Sequence, residues 1–280
     1  RQDVHQRPRR QIWRLYPIYL SCRPGREVGV LVLAEPGSTA EGRHDAFIAL
    51  VQVAASIGCD IFKNQWVSSP ERLCERRRAP EYLQAYEKIA YPSTTHEWLG
   101  AKAREHGLAY ACSVYLPEDV EVVEPYCDYL KCASFESTDP GMRDALWPYR
   151  HKTIISLGMG AAVDQWFDFF AMLHCISAYP VPVEQMNLTA IRTRGLDGLS
   201  DHSRHPWVGA IAVGIGVRLI EFHIRLWDTD PRNADYQVAR TPAEAREYVG
   251  NIRLAEKMLG SGDRRAMPCE EPMLRYRVRS

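Results

Sequence analysis

The amino-acid sequence predicts an α/β protein, a (β/α)8 barrel of the TIM type with an N-terminal extension. Apolar runs of strand length alternate with helical patterns along most of the chain, and eight such runs can be identified. Several runs are continuously apolar, which is typical of strands in a parallel sheet that is covered by helices. Polar residues stand at the C-terminal ends of most runs, where this barrel places its functional side chains.

The predicted strands follow one another at spacings that leave room for a helix between them. Eight strand and helix units in about 250 residues fit a closed barrel better than an open sheet. The strands are predicted at residues 28–35, 59–65, 108–114, 129–134, 153–159, 173–177, 196–202 and 217–224.

The last predicted helix carries the clearest local signals. Thr241 can cap it, Pro242 suits its first turn, and Glu244 completes a capping box with Thr241. Gly260 can end it. Residues three or four positions apart predict one apolar stripe along this helix, made of Tyr248, Ile252, Ala255 and Leu259.

Two segments do not fit the repeating unit. Residues 1–27 contain Trp13, Tyr16, Ile18 and Tyr19, and form either a small hairpin that closes the barrel bottom or an unstructured arm. Residues 66–92 are longer than an ordinary connection and predict an irregular excursion above the second strand, where substrate selectivity often resides. The expected division is therefore an extension at 1–27 and a catalytic barrel at 28–280.

Composition excludes several classes of function. The chain has 280 residues with 35 Lys and Arg and 35 Asp and Glu, so no net field attracts nucleic acid or an anionic membrane. No apolar stretch reaches the roughly 18 to 20 residues of a membrane span, and the expected location is the cytoplasm. The eight cysteines include no Cys-x-x-Cys pair, so they are interpreted as reduced, packed thiols.

Two lysines and several hydroxyl groups are predicted to meet at one mouth of the barrel. Ammonium groups supply positive charge and hydroxyls supply directed donors, so the set suits a phosphate. The alternative is that serines near strand ends only satisfy neighbouring backbone groups. The polar residues at strand ends are Glu35, Lys63, Gln65, Ser113, Lys131, Ser134, Ser156, Ser177, Tyr179, Ser200, His202, Glu221 and His223.

Two histidines, His202 and His223, stand at the ends of the seventh and eighth predicted strands. Because neighbouring strands lie about 5 Å apart, both imidazoles can reach one metal ion. Two protein nitrogens would leave positions open for substrate oxygen and water, as a Lewis-acid catalyst requires. A hydrogen-bonded core role for each histidine is the alternative.

These residues occur in phrases that resemble the sialic acid synthase family, which includes the N-acetylneuraminate, pseudaminic acid and legionaminic acid synthases. The phrases follow the family order over about residues 28–279, and as a set they are specific. They are Ala34-Glu35 with Gly37, Phe62-Lys-Asn-Gln65, Leu130-Lys-Cys-Ala-Ser134, Ile155-Ser-Leu-Gly-Met159, Leu173-His-Cys-Ile-Ser-Ala-Tyr-Pro180, Asn187-Leu188, Gly198-Leu-Ser-Asp-His202 and Ile220-Glu-Phe-His223.

The resemblance implies an enzyme that uses Mn²⁺ or Mg²⁺ and joins phosphoenolpyruvate to the aldehyde of an open-chain sugar, giving a 2-keto-3-deoxy sugar acid and phosphate. It implies that His202 and His223 hold the metal and that Asp201 orients a metal ligand. Glu35 and Asp235 would lie near the sugar and the reacting centre. A homodimer is also implied. The positions that match the phosphoenolpyruvate site are Lys63, Ser113, Lys131, Ser134, Ser156, Ser177, Tyr179 and Ser200.

The chain departs from the family pattern at three places, and all three are expected to affect the sugar side of the site. Thr39-Ala40 replaces Asn-His, Phe222 replaces the lysine of Glu-Lys-His, and Asn233-Ala-Asp-Tyr236 replaces Gly-Pro-Asp-His. These departures predict a changed acceptor. The family's C-terminal antifreeze-like domain is expected to be cut off, carried by a separate chain, or naturally absent.

Three functions stay open at this stage. The first is the phosphoenolpyruvate-dependent synthase, and the second is an aldol or lyase reaction on the same scaffold. The third is a non-catalytic barrel that binds a phosphorylated ligand. Retention of Glu35, both lysines and both histidines favours an enzyme over the third function.

Overall fold

The computed structural model describes residues 29–278, and the predicted hairpin at 1–27 lies outside the described residues. Eight parallel strands close into one barrel, in which each strand pairs with the next and the last pairs with the first. This confirms the predicted fold. The strands are β1 Leu31–Glu35, β2 Ile61–Trp66, β3 Ala109–Val114, β4 Tyr129–Cys132, β5 Thr153–Leu157, β6 Ala171–Cys175, β7 Gly198–Asp201 and β8 Leu219–His223.

Helices connect the strands and cover the outer face of the barrel. The α-helices are α1 His44–Ser56, α2 Pro70–Arg77, α3 Leu83–Glu87, α4 Thr95–Glu105, α5 Asp119–Val123, α6 Pro140–Leu146, α7 Thr189–Thr193, α8 Val208–Ile215, α9 Pro242–Leu259 and α10 Glu271–Leu274. Short 3-10 helices lie at Pro80–Tyr82, Glu124–Tyr126, Trp147–Lys152, Asp164–Trp166, Val183–Gln185 and Pro268–Glu270. Across residues 29–278, none of the helices combines the length and apolarity needed to span a membrane.

The predicted capping box of α9 is present. The Thr241 hydroxyl accepts a hydrogen bond from the Glu244 backbone N–H, and the Glu244 carboxylate accepts one from Thr241 N–H. The predicted apolar stripe is only partly right. Tyr248 and Ile252 are fully buried, but Leu259, in the last turn of the helix, is 56% exposed.

The sequence predicted an irregular connection after β2, and this prediction is wrong, because the connection is largely helical. It contains α2, a 3-10 turn and α3. Ser69 caps α2 by accepting a hydrogen bond from Arg72 N–H, and Pro70 occupies the first turn. The prediction that this segment lies above the second strand is confirmed, because side chains from it line the cavity at the barrel mouth.

Inside the barrel, an apolar layer lies below a polar layer. The apolar layer includes Leu33, Ile61, Ala111, Ile154 and Leu219. Side chains alternate along a strand, so the residue two positions later faces the same way. In all five strands that residue is polar, and these five residues are Glu35, Lys63, Ser113, Ser156 and Glu221. The barrel therefore presents its polar groups together, at the C-terminal ends of the strands.

Candidate active site

One cavity of about 830 Å³ occupies the C-terminal mouth of the barrel. Every site residue predicted from the sequence lines it. They are Glu35, Lys63, Ser113, Lys131, Ser134, Ser156, Ser177, Tyr179, Ser200, His202, His223 and Asp235. The structure thus brings the whole predicted set together, although its members are spread over about 200 residues of chain.

The floor of the cavity is a buried network of lysines, serines and carboxylates. Lys63 Nζ donates to Ser113 Oγ at 2.7 Å and forms an ion pair with Glu35. Lys131 Nζ donates to Ser156 Oγ at 2.8 Å. The two serines therefore orient the ammonium groups, and do not merely satisfy backbone groups of their own strands.

Glu221 lies between the two lysines. Its Oε1 atom is 3.6 Å from Lys131 Nζ and accepts a hydrogen bond from Ser200 Oγ at 2.8 Å. Its Oε2 atom is 3.8 Å from Lys63 Nζ and is buried without a hydrogen bond. The sequence placed Glu221 among the polar residues at strand ends without assigning it a role. Its spacing of two residues from both Leu219 and His223 was the signal that it faces the cavity.

The floor groups hold one another in their charged forms. Burial acts to raise the pKa of Glu35, but Lys63, together with smaller effects of His223 and Lys131, outweighs it and lowers that pKa to about 2. Burial acts in the same way on Glu221, where Lys131 and Lys63 lower the pKa. The pKa of Lys63 is raised, because Glu221 and Glu35 overcome the opposite effect of burial. The floor is therefore made of charges that largely cancel.

The rim beside β4 and β6 is built by residues that follow those strands. Ser134 Oγ and Ser177 Oγ share a hydrogen bond of 2.7 Å. Tyr179 is 40% exposed, and its ring centroid lies 4.3 Å from that of His202. These three residues form a polar rim with an exposed aromatic ring next to the histidines.

The two predicted metal histidines lie side by side, with ring centroids 5.2 Å apart. His202 Nδ1 is 3.0 Å from the carbonyl oxygen of Ile176, within hydrogen-bonding distance. This contact leaves Nε2 as the nitrogen available to a metal ion. His223 Nδ1 is 3.5 Å from Asp235 Oδ1, and His223 Nε2 is 4.0 Å from Glu35 Oε2. Both predicted catalytic carboxylates therefore flank the same imidazole.

The two imidazoles differ in their tendency to bind a proton. Burial acts to lower the pKa of His202, but the neighbouring Cys175 outweighs it and raises that pKa to about 9. For His223 burial prevails over Glu35 and Asp235 and lowers the pKa. His202 thus holds a proton more tightly than His223 does, and a metal ion bound by His202 would displace that proton.

The residues present fit a divalent cation held by two nitrogens. Within residues 29–278, no three His, Cys, Asp or Glu side chains are gathered as a complete metal cage. His223 Nδ1 is buried and makes no hydrogen bond, which is the state of a nitrogen free to bind a ligand. Imidazole nitrogens bind several transition metals, and the nearby carboxylates and the positions left for water or substrate oxygen are what would suit Mn²⁺ or Mg²⁺.

The loop after β1 holds Asp235 in place. The Ser38 N–H and hydroxyl donate to Asp235 Oδ2 at 2.7 and 2.6 Å. Gly37 has a φ of +57°, and a Cβ there would lie 2.5 Å from Asp235 Oδ2 and 3.2 Å from His223 Nδ1. The glycine of this sequence phrase is therefore required by the close approach of the loop to the site.

The departures at positions 39, 40 and 222 do not reach the cavity. Thr39 is buried and donates to the carbonyl oxygens of Pro36 and Ile224. Ala40 is packed in the core. The expectation for Phe222 is wrong, because this residue lies on the outer face of β8 with its ring 5.0 Å from that of Tyr248. Side chains of neighbouring strand positions face opposite sides, so His223 faces the cavity and Phe222 does not.

The outer wall of the cavity comes from residues that the sequence did not single out. The connection after β2 and the loop after β4 supply this wall. Tyr82 is 50% exposed and Phe135 is 45% exposed. Arg76 forms an ion pair with Asp139. The wall residues include Arg76, Arg77, Tyr82, Tyr86 and Phe135.

Comparisons with known proteins agree with this arrangement. The profile of the NeuB family matches residues 50–264. An uncharacterised protein of Methanocaldococcus jannaschii is 28% identical, with 89% of this chain and 78% of that protein covered. The pseudaminic acid synthase of Campylobacter jejuni is 26% identical, with 89% of this chain and 79% of the enzyme covered. The structure of N-acetylneuraminic acid synthetase from Leptospira borgpetersenii has the same fold, with a TM-score of 0.78, 22% identity and coverage of 89% of this chain and 91% of that chain.

Proposed function

Because this chain belongs to the NeuB family, we propose that it is a synthase that joins phosphoenolpyruvate to an aldose-type aldehyde and releases phosphate. The product would be a 2-keto-3-deoxy sugar acid of the nonulosonate type. One observation carries the proposal: two buried lysines, each fixed by a serine, share a barrel mouth with two adjacent imidazoles. The lysines suit the anionic substrate, and the imidazoles suit the metal.

Phosphoenolpyruvate would bind on the floor of the cavity. Its carboxylate and phosphate need cationic and hydrogen-bonding partners, which Lys63 and Lys131 provide together with the serine hydroxyls. Ser134 and Ser177 lie on the rim beside Tyr179 and supply donors directed into the same cavity. The methylene carbon would then point toward the histidines.

His202 and His223 would hold the divalent metal. When bound, such an ion supplies Lewis acidity that polarises a carbonyl oxygen. Glu35 and Asp235 flank His223 and place negative charge beside its ring. The acceptor aldehyde would therefore lie on the histidine side of the cavity, and the rest of the acceptor would extend across the mouth toward the wall formed by Tyr82 and Phe135.

The bond changes follow from this placement. The methylene carbon of phosphoenolpyruvate attacks the aldehyde carbon, and the aldehyde oxygen takes up a proton. Water adds to the former enol carbon and loses a proton, and the adduct expels phosphate to leave a ketone. Because the pKa of Glu35 is about 2, this group is ionised at neutral pH and cannot be the acid that protonates the aldehyde oxygen.

The proposal is tested by turnover with defined substrates. Metal-loaded protein is incubated with phosphoenolpyruvate and a panel of aldoses and N-acetylated hexosamines, and phosphate release and product mass are followed. The expected result is phosphate release that requires both substrates, with a product mass equal to their sum plus water minus phosphoric acid. Turnover of a sugar acid without phosphoenolpyruvate would favour a lyase instead.

Variants of the histidines provide the matched comparison. His202→Ala and His223→Ala should abolish phosphate release. His174→Gln is the control, because His174 is also a buried strand histidine but its Nε2 is held by the Met186 carbonyl, outside the cavity. Equal activity in all three variants would exclude the proposed role of the imidazoles.

A further inference from the structure

Arg240 lies behind the two histidines, in the segment between β8 and α9. Its side chain is among the largest that are fully buried, with the residue 1% exposed. It lines no part of the cavity and so touches no substrate. Burying a guanidinium costs desolvation free energy unless the group is paired and hydrogen-bonded. The contacts of Arg240 show which groups provide this compensation.

The backbone of Arg240 holds the end of β8. Its N–H donates to the carbonyl oxygen of His223 at 2.9 Å, and its own carbonyl accepts from Arg225 N–H at 2.9 Å. These bonds form a parallel bridge between Arg240 and Ile224, which extends the sheet just beyond the last strand. The peptide group of His223 is therefore fixed by this residue.

The side chain of Arg240 holds the end of β7. Its Nη2 atom donates to Asp201 Oδ2 at 2.9 Å and to the Ser203 carbonyl oxygen at 2.9 Å. Asp201 and Ser203 are the two neighbours of His202 in the chain. Asp201 Oδ1 in turn accepts from Ser203 N–H at 2.7 Å, so the backbone on both sides of His202 is tied to one carboxylate and one guanidinium.

The guanidinium itself has little freedom to move. It lies 3.9 Å from the centroid of the Tyr248 ring and 5.6 Å from that of Phe222. The Tyr248 hydroxyl donates to Asp201 Oδ2 at 2.7 Å, the oxygen that Arg240 also binds. Phe222 thus lies outside the cavity but helps to hold the Arg240 guanidinium in place.

From these contacts we infer that Arg240 is a positioning residue, which fixes the two imidazoles at the separation needed to share one metal ion. The inference rests on the proposed function, in which His202 and His223 hold the metal. Arg240 is hydrogen-bonded through its backbone to His223 and through its side chain to both chain neighbours of His202. One residue therefore holds both proposed metal ligands. Groups that orient metal ligands from outside the coordination shell typically change metal affinity about 10- to 100-fold when they are removed.

The test compares Arg240→Met with a substitution in a matched ion pair of α9, the helix that begins just after Arg240. Arg253 of α9 binds Asp60 Oδ2 at 2.8 Å and the carbonyl oxygens of Val30 and Gly58, at the opposite end of the barrel. Arg253→Met therefore removes a comparable set of bonds without touching the histidines. Mn²⁺ affinity is measured by titration calorimetry, and the imidazole ¹⁵N signals of the metal-free protein report the tautomer and environment of each ring.

Arg240→Met is expected to weaken Mn²⁺ binding at least about 10-fold and to shift or broaden the signals of His202 and His223. Arg253→Met should lower the melting temperature while both readouts stay at the wild-type values. Arg240→Lys, which restores a cation opposite Asp201, should recover part of the affinity. If Arg240→Met does not fold, Asp201→Asn decides, because it keeps the side-chain shape and removes the ion pair.

Unchanged Mn²⁺ affinity and unchanged imidazole signals in a folded Arg240→Met protein would overturn the inference. Equal losses in Arg240→Met and Arg253→Met would do the same, because they would show a general effect of stability. Failure of the wild-type protein to bind Mn²⁺ would contradict the proposed metal site. The imidazole signals of the metal-free protein would still decide the role of Arg240.

Discussion

At the scale of single residues, the site depends on charges placed where water cannot reach them. Glu221 and both lysines are at most 3% exposed, so each buried charge needs an opposite charge beside it. The sequence predicted which residues face the cavity, because side-chain direction follows the period of two along a strand. It could not predict their pairing. Whether Glu221 contacts Lys63, Lys131 or the metal depends on distances between strands far apart in the chain.

Removing one lysine should reveal its share of anion binding. Lys131→Met keeps the length of the side chain but deletes the charge beside Ser156 and Glu221. Truncating a buried, hydrogen-bonded charge costs about 2–5 kcal/mol, so the Kd for phosphoenolpyruvate should rise about 30-fold or more. Ser156→Ala removes only a neutral partner and should cost about 0.5–1.5 kcal/mol. Titration calorimetry of both variants measures this, and equal Kd values for wild type and Lys131→Met would rule out the lysine as a ligand.

The buried carboxylate of Glu35 should make stability depend on acid pH. Its pKa is about 2 in the folded protein and 4.5 when unperturbed. A lowered pKa stabilises the fold above about pH 4.5, and this contribution is lost as the pH falls toward about 2. Glu35→Gln lacks the titration, so its stability deficit relative to wild type should shrink between pH 5 and pH 3. Urea unfolding at several pH values measures the deficit, and a constant deficit would contradict the shift.

At the scale of whole elements, the eight strands could be predicted because apolar runs of strand length, several of them continuous, alternate with helical patterns. The helices α2 and α3 could not, although Ser69 and Pro70 form a valid start signal. Only Pro70, Leu73 and Cys74 of α2 are buried, so the segment lacks the apolar stripe by which a helix is recognised. The close spacing of β7 and its neighbouring strands could not be predicted from the sequence either. A Cβ on Gly198 of β7 would collide with the Leu219 carbonyl oxygen of β8 and approach Leu173 of β6 at 2.7 Å.

Gly198→Ala should therefore destabilise the barrel at its seventh strand. Because both collisions involve packed neighbours, overpacking should cost about 1–3 kcal/mol of unfolding free energy. Gly250→Ala is the matched substitution, since Gly250 lies within α9 with nothing within 4 Å of an added Cβ. There the change should be neutral or stabilising by up to about 1 kcal/mol. Denaturant unfolding of both variants gives the comparison, and a stable Gly198→Ala protein would mean that the strands separate easily.

The helical connection after β2 should determine which acceptor the site takes. Tyr82 is half exposed on the cavity wall, where an aromatic ring can pack against a sugar. Tyr82→Ala should raise the KM for the acceptor about 2- to 10-fold, from the loss of about 0.5–1.5 kcal/mol, and leave the KM for phosphoenolpyruvate unchanged. Tyr276→Ala, which removes an exposed tyrosine outside the cavity, is the control. An equal rise in both KM values would contradict a role limited to the acceptor.

At the scale of the whole molecule, the charges of the chain and the charges of the cavity floor are both balanced. The chain has equal numbers of basic and acidic residues, so it offers no general attraction for an anion. The floor repeats that balance locally, with Lys63 and Lys131 opposite Glu35 and Glu221. Composition predicted the first balance, whereas the second appears only when the barrel closes. A phosphorylated carboxylate therefore needs positive charge beyond the lysines, and the histidine side of the cavity is where a metal ion would add it.

Binding of phosphoenolpyruvate should consequently depend on the metal. Protein freed of metal by chelation should gain stability with Mn²⁺, by about 2.7 kcal/mol when the free ion is at 100 times its Kd. Phosphoenolpyruvate should then raise the melting temperature further, and should raise it much less without Mn²⁺, because the floor alone is neutral. In the double variant His202→Ala and His223→Ala neither shift should occur, whereas His174→Gln should behave as wild type. Thermal unfolding in the four ligand combinations measures these shifts. Equal effects of phosphoenolpyruvate with and without Mn²⁺ would show that the lysines suffice, and that the balanced floor does not control anion binding.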